Sequence, residues 1–242
     1  MIILKKIAKP ILELSGVCRS DKKSAVERLD LSVPSGDSFA VLYKNNDNIS
    51  LLLEILSGRV PPKKGKVFFK GDDITGVKNV FGVVVKDPTT PKRKTVADAA
   101  AAPVVKRGLS RELAGVLTAK ELKAIGLEKL GAKQFSELSP IEAAKAHIFM
   151  AYMCSHEFIT IDEPFSTLSE SEREDALVWL EGLCRGSKLS LLVFTKDLDL
   201  AVRLGDYVMV ADNNTASKGI IAIEKGKEKL AAKRLSDIYD SV

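Results

Sequence analysis

Short apolar runs alternate with segments of helical periodicity along most of the chain. The apolar runs predict strands at residues 11–14, 26–33, 38–42, 65–69, 80–85, 158–161, 189–194 and 207–210. Apolar positions at helical spacing predict helices over residues 49–56, 170–183 and 198–204. Because strands that alternate with helices favour parallel pairing, the pattern indicates a largely parallel α/β sheet.

The middle of the chain departs from this alternation. From about residue 96 to residue 153 the pattern is helical, with glycine and proline interruptions, which predicts an inserted helical subdomain at about 89–155. A C-terminal tail at about 213–242 holds one predicted strand (219–223) and a terminal helix (228–239). The sequence contains no internal repeat, and its 242 residues are enough for one large α/β domain or two small ones.

The composition is that of a globular chain with a sizeable core. Hydrophobic residues make up 45% and charged residues 29% of the 242 residues. The net charge of +5 is spread along the chain, and its one dense cluster, Lys92-Arg93-Lys94, has no interleaved aromatic residues. A solvated lysine-rich surface therefore explains the charge better than a nucleic-acid interface does, and we expect no nucleic-acid partner.

Cysteine spacing and hydropathy limit the cellular setting. Cys18, Cys154 and Cys184 lie far apart in sequence, which argues against a metal site or a disulfide framework and favours a reducing cytoplasm. The first residues lack the apolar core of a signal peptide. No apolar run approaches the roughly 20 residues that a membrane span needs. If the protein acts at a membrane, we therefore expect it to bind the membrane surface or a membrane-embedded partner.

An apolar strand that ends in two carboxylates lies at residues 158–163. Asp162, Glu163 and Pro164 follow the run Phe-Ile-Thr-Ile. At the carboxyl end of a strand, which is the usual ligand edge of an α/β sheet, Asp162 can hold Mg²⁺ and Glu163 can polarise an attacking water. The alternative is that the acids and the proline merely begin a helix, which these residue types also favour.

The segment 158–169 resembles the Walker B motif and D-loop of ABC ATPases, and four further segments occur in that family's order. Those segments are the Walker A strand, loop and helix (38–58), the Q-loop strand (83–88), the signature loop (138–142) and the switch (194–198). The resemblance covers roughly residues 11–212 and implies a single ABC ATPase-like domain over residues 1–242. Five pieces in order are specific where one is not. The resemblance implies a P-loop NTPase-like α/β fold with a mostly parallel core sheet, an N-terminal antiparallel β part and an inserted helical subdomain.

The Walker A position lacks the groups that hold phosphate in this family. Tyr43, Asn46 and Asn48 stand where the resemblance places glycines, Ile49 stands where it places the lysine, and Ser50 keeps the hydroxyl. Asparagine tolerates left-handed backbone angles, so the shape of the loop can survive. Its side chains nevertheless crowd the phosphate space that glycines leave open.

The resemblance implies ATP and Mg²⁺ as cofactors, bound weakly if at all. It places the nucleotide contacts at Asn45, Asn46, Asn48, Ile49, Ser50 and Leu51. Asp47 adds a charge of the same sign as phosphate. For the metal, the resemblance points to Ser50 and Asp162, with Ser50 alternatively an ordinary residue of a first helical turn.

Three further contacts of the family are altered. Lys86 stands at the Q-loop glutamine and Lys196 at the switch histidine, and neither lysine reproduces the hydrogen bonding of the residue it replaces. At the signature loop, Ser139 is followed by Pro140, and Glu142 completes a predicted capping box. A helix start is therefore expected there, although proline has no N–H to offer a phosphate.

Phosphoryl transfer depends on positioning and charge neutralisation, so these losses predict little or no hydrolysis, with Glu163 retained but idle. Three interpretations remain open. The chain is a degenerate transporter subunit that pairs with an intact paralogous ATPase and docks on a membrane permease. Alternatively, it is a weak ATPase that uses Ser50, Asp162 and Lys44 or Lys196, or an ABC-derived regulatory or scaffold protein. The first predicts a dimer located in the cytoplasm, peripheral on the inner face of the cell membrane.

Overall fold

The structure is a computed structural model that describes residues 9–21, 24–44, 46–86, 88, 93–212, 217–224 and 226–241. Side chains are described over the same ranges except at residue 46. The chain forms two compact units, Met1–Val80 with Ser190–Val242, and Phe81–Leu189. The predicted Walker A contact at Asn45 and the residue Lys92 of the basic cluster lie outside the described residues.

The elements follow one another in an alternating order through most of the chain. In sequence they are β1 (Pro10–Ser20), β2 (Ala25–Pro34), β3 (Ser38–Leu42), α1 (Asn46–Leu56), β4 (Lys64–Phe69), β5 (Asp72–Asp73), β6 (Gly82–Val84), α2 (Val96–Lys106), α3 (Arg111–Ala124), α4 (Pro140–Cys154), β7 (Phe158–Asp162), α5 (Glu170–Ser187), β8 (Ser190–Thr195), α6 (Leu198–Leu204), β9 (Tyr207–Ala211), β10 (Ser217–Ala222) and α7 (Glu228–Asp240).

The first unit contains an antiparallel sheet and four strands of a mostly parallel sheet. The antiparallel sheet has the order β2-β1-β4-β5. In the other group, β3 pairs in parallel with β8 on one side and with β9 on the other, and β10 adds to β9 in antiparallel orientation. Every residue of β3 and β8 is buried, as expected for parallel strands covered on both faces.

The second unit combines two parallel strands with a set of helices. β6 pairs with β7 in parallel. Gly82 lets β6 approach α4 closely, because a Cβ at this position would lie 2.3 Å from the carbonyl oxygen of Ala151. The helices α2, α3 and α4 occupy the part of the chain in which the sequence predicts a helical subdomain. Thr95, Ser110 and Ser139 cap these helices by accepting hydrogen bonds from first-turn backbone N–H groups.

The predicted fold class is confirmed, and the differences are local. The helix predicted from residue 49 begins three residues earlier, at Asn46, and the short strand β5 was not predicted. The strand predicted at 80–85 is shorter, because regular pairing with β7 covers only residues 82–84. Among the described helices, none combines the length and the apolar character that a membrane crossing requires.

Candidate functional site

The strand β3 leads into the loop that stands at the Walker A position. Its five residues are buried between β8 and β9, and the chain leaves the sheet at Tyr43. The backbone N–H of Tyr43 still donates to the carbonyl oxygen of Thr195 at 3.1 Å, so the ladder extends one residue beyond the strand. The loop therefore starts at the carboxyl edge of parallel strands, where α/β proteins bind ligands.

Only residues 43–45 separate β3 from α1. Because α1 begins at Asn46, Asn46 and Asn48 have helical backbone angles, and no described residue from 43 to 50 has a positive φ. The left-handed angles that asparagine could have supplied are thus not used at these two positions. A nest of inward-pointing N–H groups needs such alternation of backbone angles, and the described part of the loop does not have it.

The Asn48, Ile49 and Leu51 side chains near the start of α1 are buried in the protein and do not face an open pocket. Ile49, at the position of the family's lysine, is 1% exposed, and Leu51 is likewise buried. Asn48 is 4% exposed, and its Oδ1 accepts a hydrogen bond of 2.6 Å from the backbone N–H of Ala25. This bond ties α1 to the start of β2. Ser50 is exposed, so of this group it alone presents its side chain to solvent.

Two tyrosines and two lysines gather around the loop, and we call Tyr43, Lys44, Lys196 and Tyr239 the tyrosine–lysine cluster. The hydroxyl of Tyr239, on α7, donates to the carbonyl oxygen of Tyr43 at 3.0 Å. The Lys44 ammonium lies 4.9 Å from the centroid of the Tyr239 ring, and the Lys196 ammonium lies 5.7 Å from that of Tyr43. The lysines that could have met phosphate thus lie against aromatic rings of their own unit.

The second unit keeps its carboxylates at the end of a buried strand. All five residues of β7 are buried, and Asp162 ends it with 7% exposure. Glu163 follows, half-buried, with φ of +45°. A left-handed angle costs an ordinary residue about 1–2 kcal/mol. The surroundings therefore hold Glu163 in a conformation that glycine would adopt more easily, as is frequent at functional sites.

The other predicted contacts of the second unit lie on exposed segments. Lys86 is exposed shortly after β6, and Ser139 is the exposed N-cap of α4. The predicted capping box is confirmed, since the Ser139 N–H donates to Glu142 Oε2 at 3.0 Å and the Glu142 N–H donates to Ser139 Oγ at 3.4 Å. Lys133 donates to Glu142 at 2.7 Å and, as the largest cause, holds the pKa of that carboxyl below its usual range.

The predicted residues are divided between the two units. Asn48, Ile49, Ser50 and Leu51 lie on α1 and Lys196 follows β8 in the first unit, whereas Lys86, Ser139, Asp162 and Glu163 belong to the second. Sequence reasoning missed Tyr239. Its only signal was its place in an amphipathic C-terminal helix, which gives no indication that its hydroxyl reaches a loop 196 residues away. Within the described residues, no group of histidine, cysteine and acidic side chains could hold a metal ion.

Comparisons with known proteins agree with this arrangement. The family profile described as ABC transporter matches residues 26–166. The taurine import ATP-binding protein TauB of Pseudomonas aeruginosa is 26% identical over 213 residues, which cover 88% of this chain and 81% of that protein.

Solved structures match over nearly the whole chain. A nucleotide-free ATP-binding cassette from an ABC transporter superposes with a TM-score of 0.77 at 19% identity, covering 95% of this chain and 98% of that one. The cbiO1 protein of Clostridium perfringens, part of the ABC transporter complex cbiONQ, gives a TM-score of 0.78 at 18% identity, covering 94% and 93%. At these identities the structural likeness shows the fold alone.

Proposed function

The chain belongs to the ABC transporter family, and from that premise we propose that it is an importer's ATP-binding-type subunit that does not hydrolyse ATP at its own site. In this proposal its 242 residues form one domain. The domain pairs with an intact paralogous ATPase and docks on a membrane permease, in the cytoplasm at the inner face of the cell membrane. Nucleic acid is not a partner.

The burial of Ile49 is the observation that carries this proposal. Its position is where the family places the lysine that neutralises the β- and γ-phosphates, and here the side chain is part of the core. An apolar, fully enclosed group supplies neither charge nor a donor. Because electrostatic stabilisation is the largest contribution to phosphoryl transfer, we infer that this loop cannot support turnover.

The charges around the loop support the same conclusion. Between residues 43 and 51 the only cationic side chain is Lys44, and it lies over the ring of Tyr239. Asp47 is exposed in the first turn of α1 and repels phosphate. The phosphate-binding part of ATP therefore does not fit this chain's own residues, although Asp162 and Ser50 retain oxygen ligands of the kind that Mg²⁺ prefers.

A weak but genuine ATPase is the second candidate. It is favoured by the retained Asp162–Glu163 pair and by the exposure of Ser50 and Lys196. In that case Lys44 or Lys196 would have to leave its aromatic neighbour to meet phosphate. A regulatory or scaffold protein without a transporter remains the third candidate. Support for the importer comes from the relative named a taurine import protein.

The test uses the complex in which the subunit works. The chain is expressed with its membrane permease and with an intact ATPase paralogue, and transport-coupled ATP turnover is measured in proteoliposomes. Glu163→Gln in this chain should leave turnover within about twofold of wild type, since its carboxylate has no substrate to act on. The corresponding change in the paralogue should abolish turnover. A loss of more than about tenfold from Glu163→Gln in this chain would refute the proposal.

A further inference from the structure

A cleft of about 460 Å³ opens in the second unit where the last turns of α3, α4 and α5 meet. Its volume lies within the range of small-molecule sites, about 300–1,000 Å³. None of the residues that surround it belongs to the motifs discussed above. The residues that matter for recognition are Glu121, Ile125, Tyr152, Trp179, Gly182 and Gly186.

One end of the cleft is polar and negative. Glu121 is the only lining residue with a charged side chain. The Tyr152 hydroxyl lies 3.4 Å from Glu121 Oε2, and burial, followed by the Glu121 charge, raises the pKa of Tyr152. The phenol therefore stays protonated. Among the described residues, no lysine or arginine forms a salt bridge with Glu121. Burial, the largest cause, lowers the pKa of His156, and the Glu121 charge opposes that shift. The described neighbours of the Glu121 carboxylate at the cleft are therefore the Tyr152 hydroxyl and His156.

Basic residues accompany the helix ends beside the cleft. α3 ends at Ala124 and α5 at Ser187, and Lys123 and Arg185 lie in their last turns. Arg107 donates to the carbonyl oxygens of Met153 and Cys154 at the end of α4. Because cations at helix C-termini offset the partial negative charge there, the negative charge at the cleft comes from Glu121.

The rest of the cleft is apolar and open. The Trp179 indole is fixed by a hydrogen bond of 3.0 Å from its Nε1 to the carbonyl oxygen of Ile125, and Lys145 approaches the ring with its ammonium 5.8 Å from the centroid. Gly182 and Gly186 lie one turn apart on α5, and a Cβ at either would meet nothing within 4 Å. Each such glycine weakens a helix by about 0.5–1 kcal/mol relative to alanine. The pair leaves the backbone of α5 open to the cleft at these two positions.

We propose that this cleft binds a small organic cation, an amine joined to an aromatic or similar apolar body. The ammonium group donates hydrogen bonds to the Glu121 carboxylate and to the Tyr152 oxygen. The apolar body lies beside the Trp179 indole and over the backbone of Gly182 and Gly186. None of the lining residues belongs to the predicted nucleotide contacts, so the isolated chain suffices to test the site.

Trp179 is the chain's one tryptophan and therefore reports directly on the cleft. The probes are 2-phenylethylamine, 2-phenylethanol and phenylacetate, which share a phenyl ring and differ in charge. The amine should produce a saturable change in tryptophan fluorescence with an affinity about tenfold or more above the other two. No saturable change, or equal affinities for the three probes, would overturn the proposal.

Three variants locate the binding. Gly186→Leu fills the cleft and should abolish amine binding, whereas Gly115→Leu, at a helical glycine in open space on α3 and outside the cleft, should not change it. Glu121→Gln keeps the shape and should weaken amine binding about tenfold while leaving 2-phenylethanol unaffected. Circular dichroism verifies that each variant is folded. Unchanged amine binding in a folded Gly186→Leu variant would contradict the site. If that variant does not fold, unchanged amine binding in Glu121→Gln would contradict it.

Discussion

Residues 43–50 and residues 158–163 each include or follow the carboxyl end of a buried parallel strand, one in each unit. The side chains that these two segments carry nevertheless differ. Ile49 and Asn48, which the resemblance places at the family's lysine and third glycine, are both buried, and Asn48 is hydrogen-bonded to the start of β2. At the strand end, Asp162 and Glu163 keep the carboxylates, and Glu163 does so at a left-handed φ. In the first region these side chains are part of the core, and in the second two carboxylates end a buried strand.

This difference separates what a fold requires from what a reaction requires. A buried parallel strand needs only apolar residues of suitable size, and β3 and β7 both have them. A phosphate loop additionally needs glycine angles and a lysine, which contribute nothing to folding. At residue 49 the requirement that the structure meets is the first one, since the Ile49 side chain packs in the core.

The largest effect is expected from restoring the family's lysine. Ile49→Lys should lower the free energy of unfolding by about 3 kcal/mol or more, because it places an ammonium group in the core. Urea denaturation followed by circular dichroism measures the loss. Ser50→Lys, at the next and exposed position, is the matched control and should cost less than about 1 kcal/mol. A stable Ile49→Lys variant that gains ATP binding would show that the loop is still a phosphate loop.

Substitutions of Asn48 test whether the side chain at the third glycine position stabilises the fold. Asn48→Ala should destabilise the protein by about 1–3 kcal/mol, because the N–H of Ala25 loses its acceptor. Asn48→Asp keeps an oxygen in place, at a helix N-terminus that favours negative charge, and should lose much less. The same urea experiment ranks the two variants. Equal losses would mean that the hydrogen bond contributes nothing.

Removing one oxygen from α7 tests the tyrosine–lysine cluster. Tyr239→Phe deletes the hydrogen bond to the Tyr43 carbonyl but keeps the ring beneath Lys44, so a loss of about 1 kcal/mol is expected. Amide hydrogen exchange of the loop should accelerate by a corresponding factor of about five. Exchange rates in the loop that match those of the wild type would show that α7 does not hold it.

The smallest effect concerns the retained carboxylate. Glu163→Gly should raise the free energy of unfolding by about 0.5 kcal/mol, because glycine adopts the left-handed angle without strain. Lys188→Gly, at φ of +52° on the C-cap of α5, provides a matched position outside the motif. If Glu163→Gly destabilises while Lys188→Gly stabilises, the Glu163 side chain supports the fold and is not a remnant of chemistry.

Much of the fold could be predicted from sequence because it depends on local patterns. Apolar runs fix the strands and capping residues fix helix starts, so the boundaries of β3 and α6 and the Ser139–Glu142 capping box agree with the prediction. The early start of α1 could not be predicted, since asparagines suit both a turn and a first helical turn. Nor could the contact of Tyr239 with Tyr43, which depends on tertiary packing between distant segments.

The central claim is that the loop no longer accepts triphosphate, and calorimetric titration of the isolated chain with Mg-ATP tests it most directly. ATP-dependent enzymes commonly work at substrate concentrations of about 1 μM to 1 mM. We predict no saturable heat up to about 1 mM ATP. A one-to-one binding isotherm in this range, weakened by changing Ser50 or Asp162, would contradict the account.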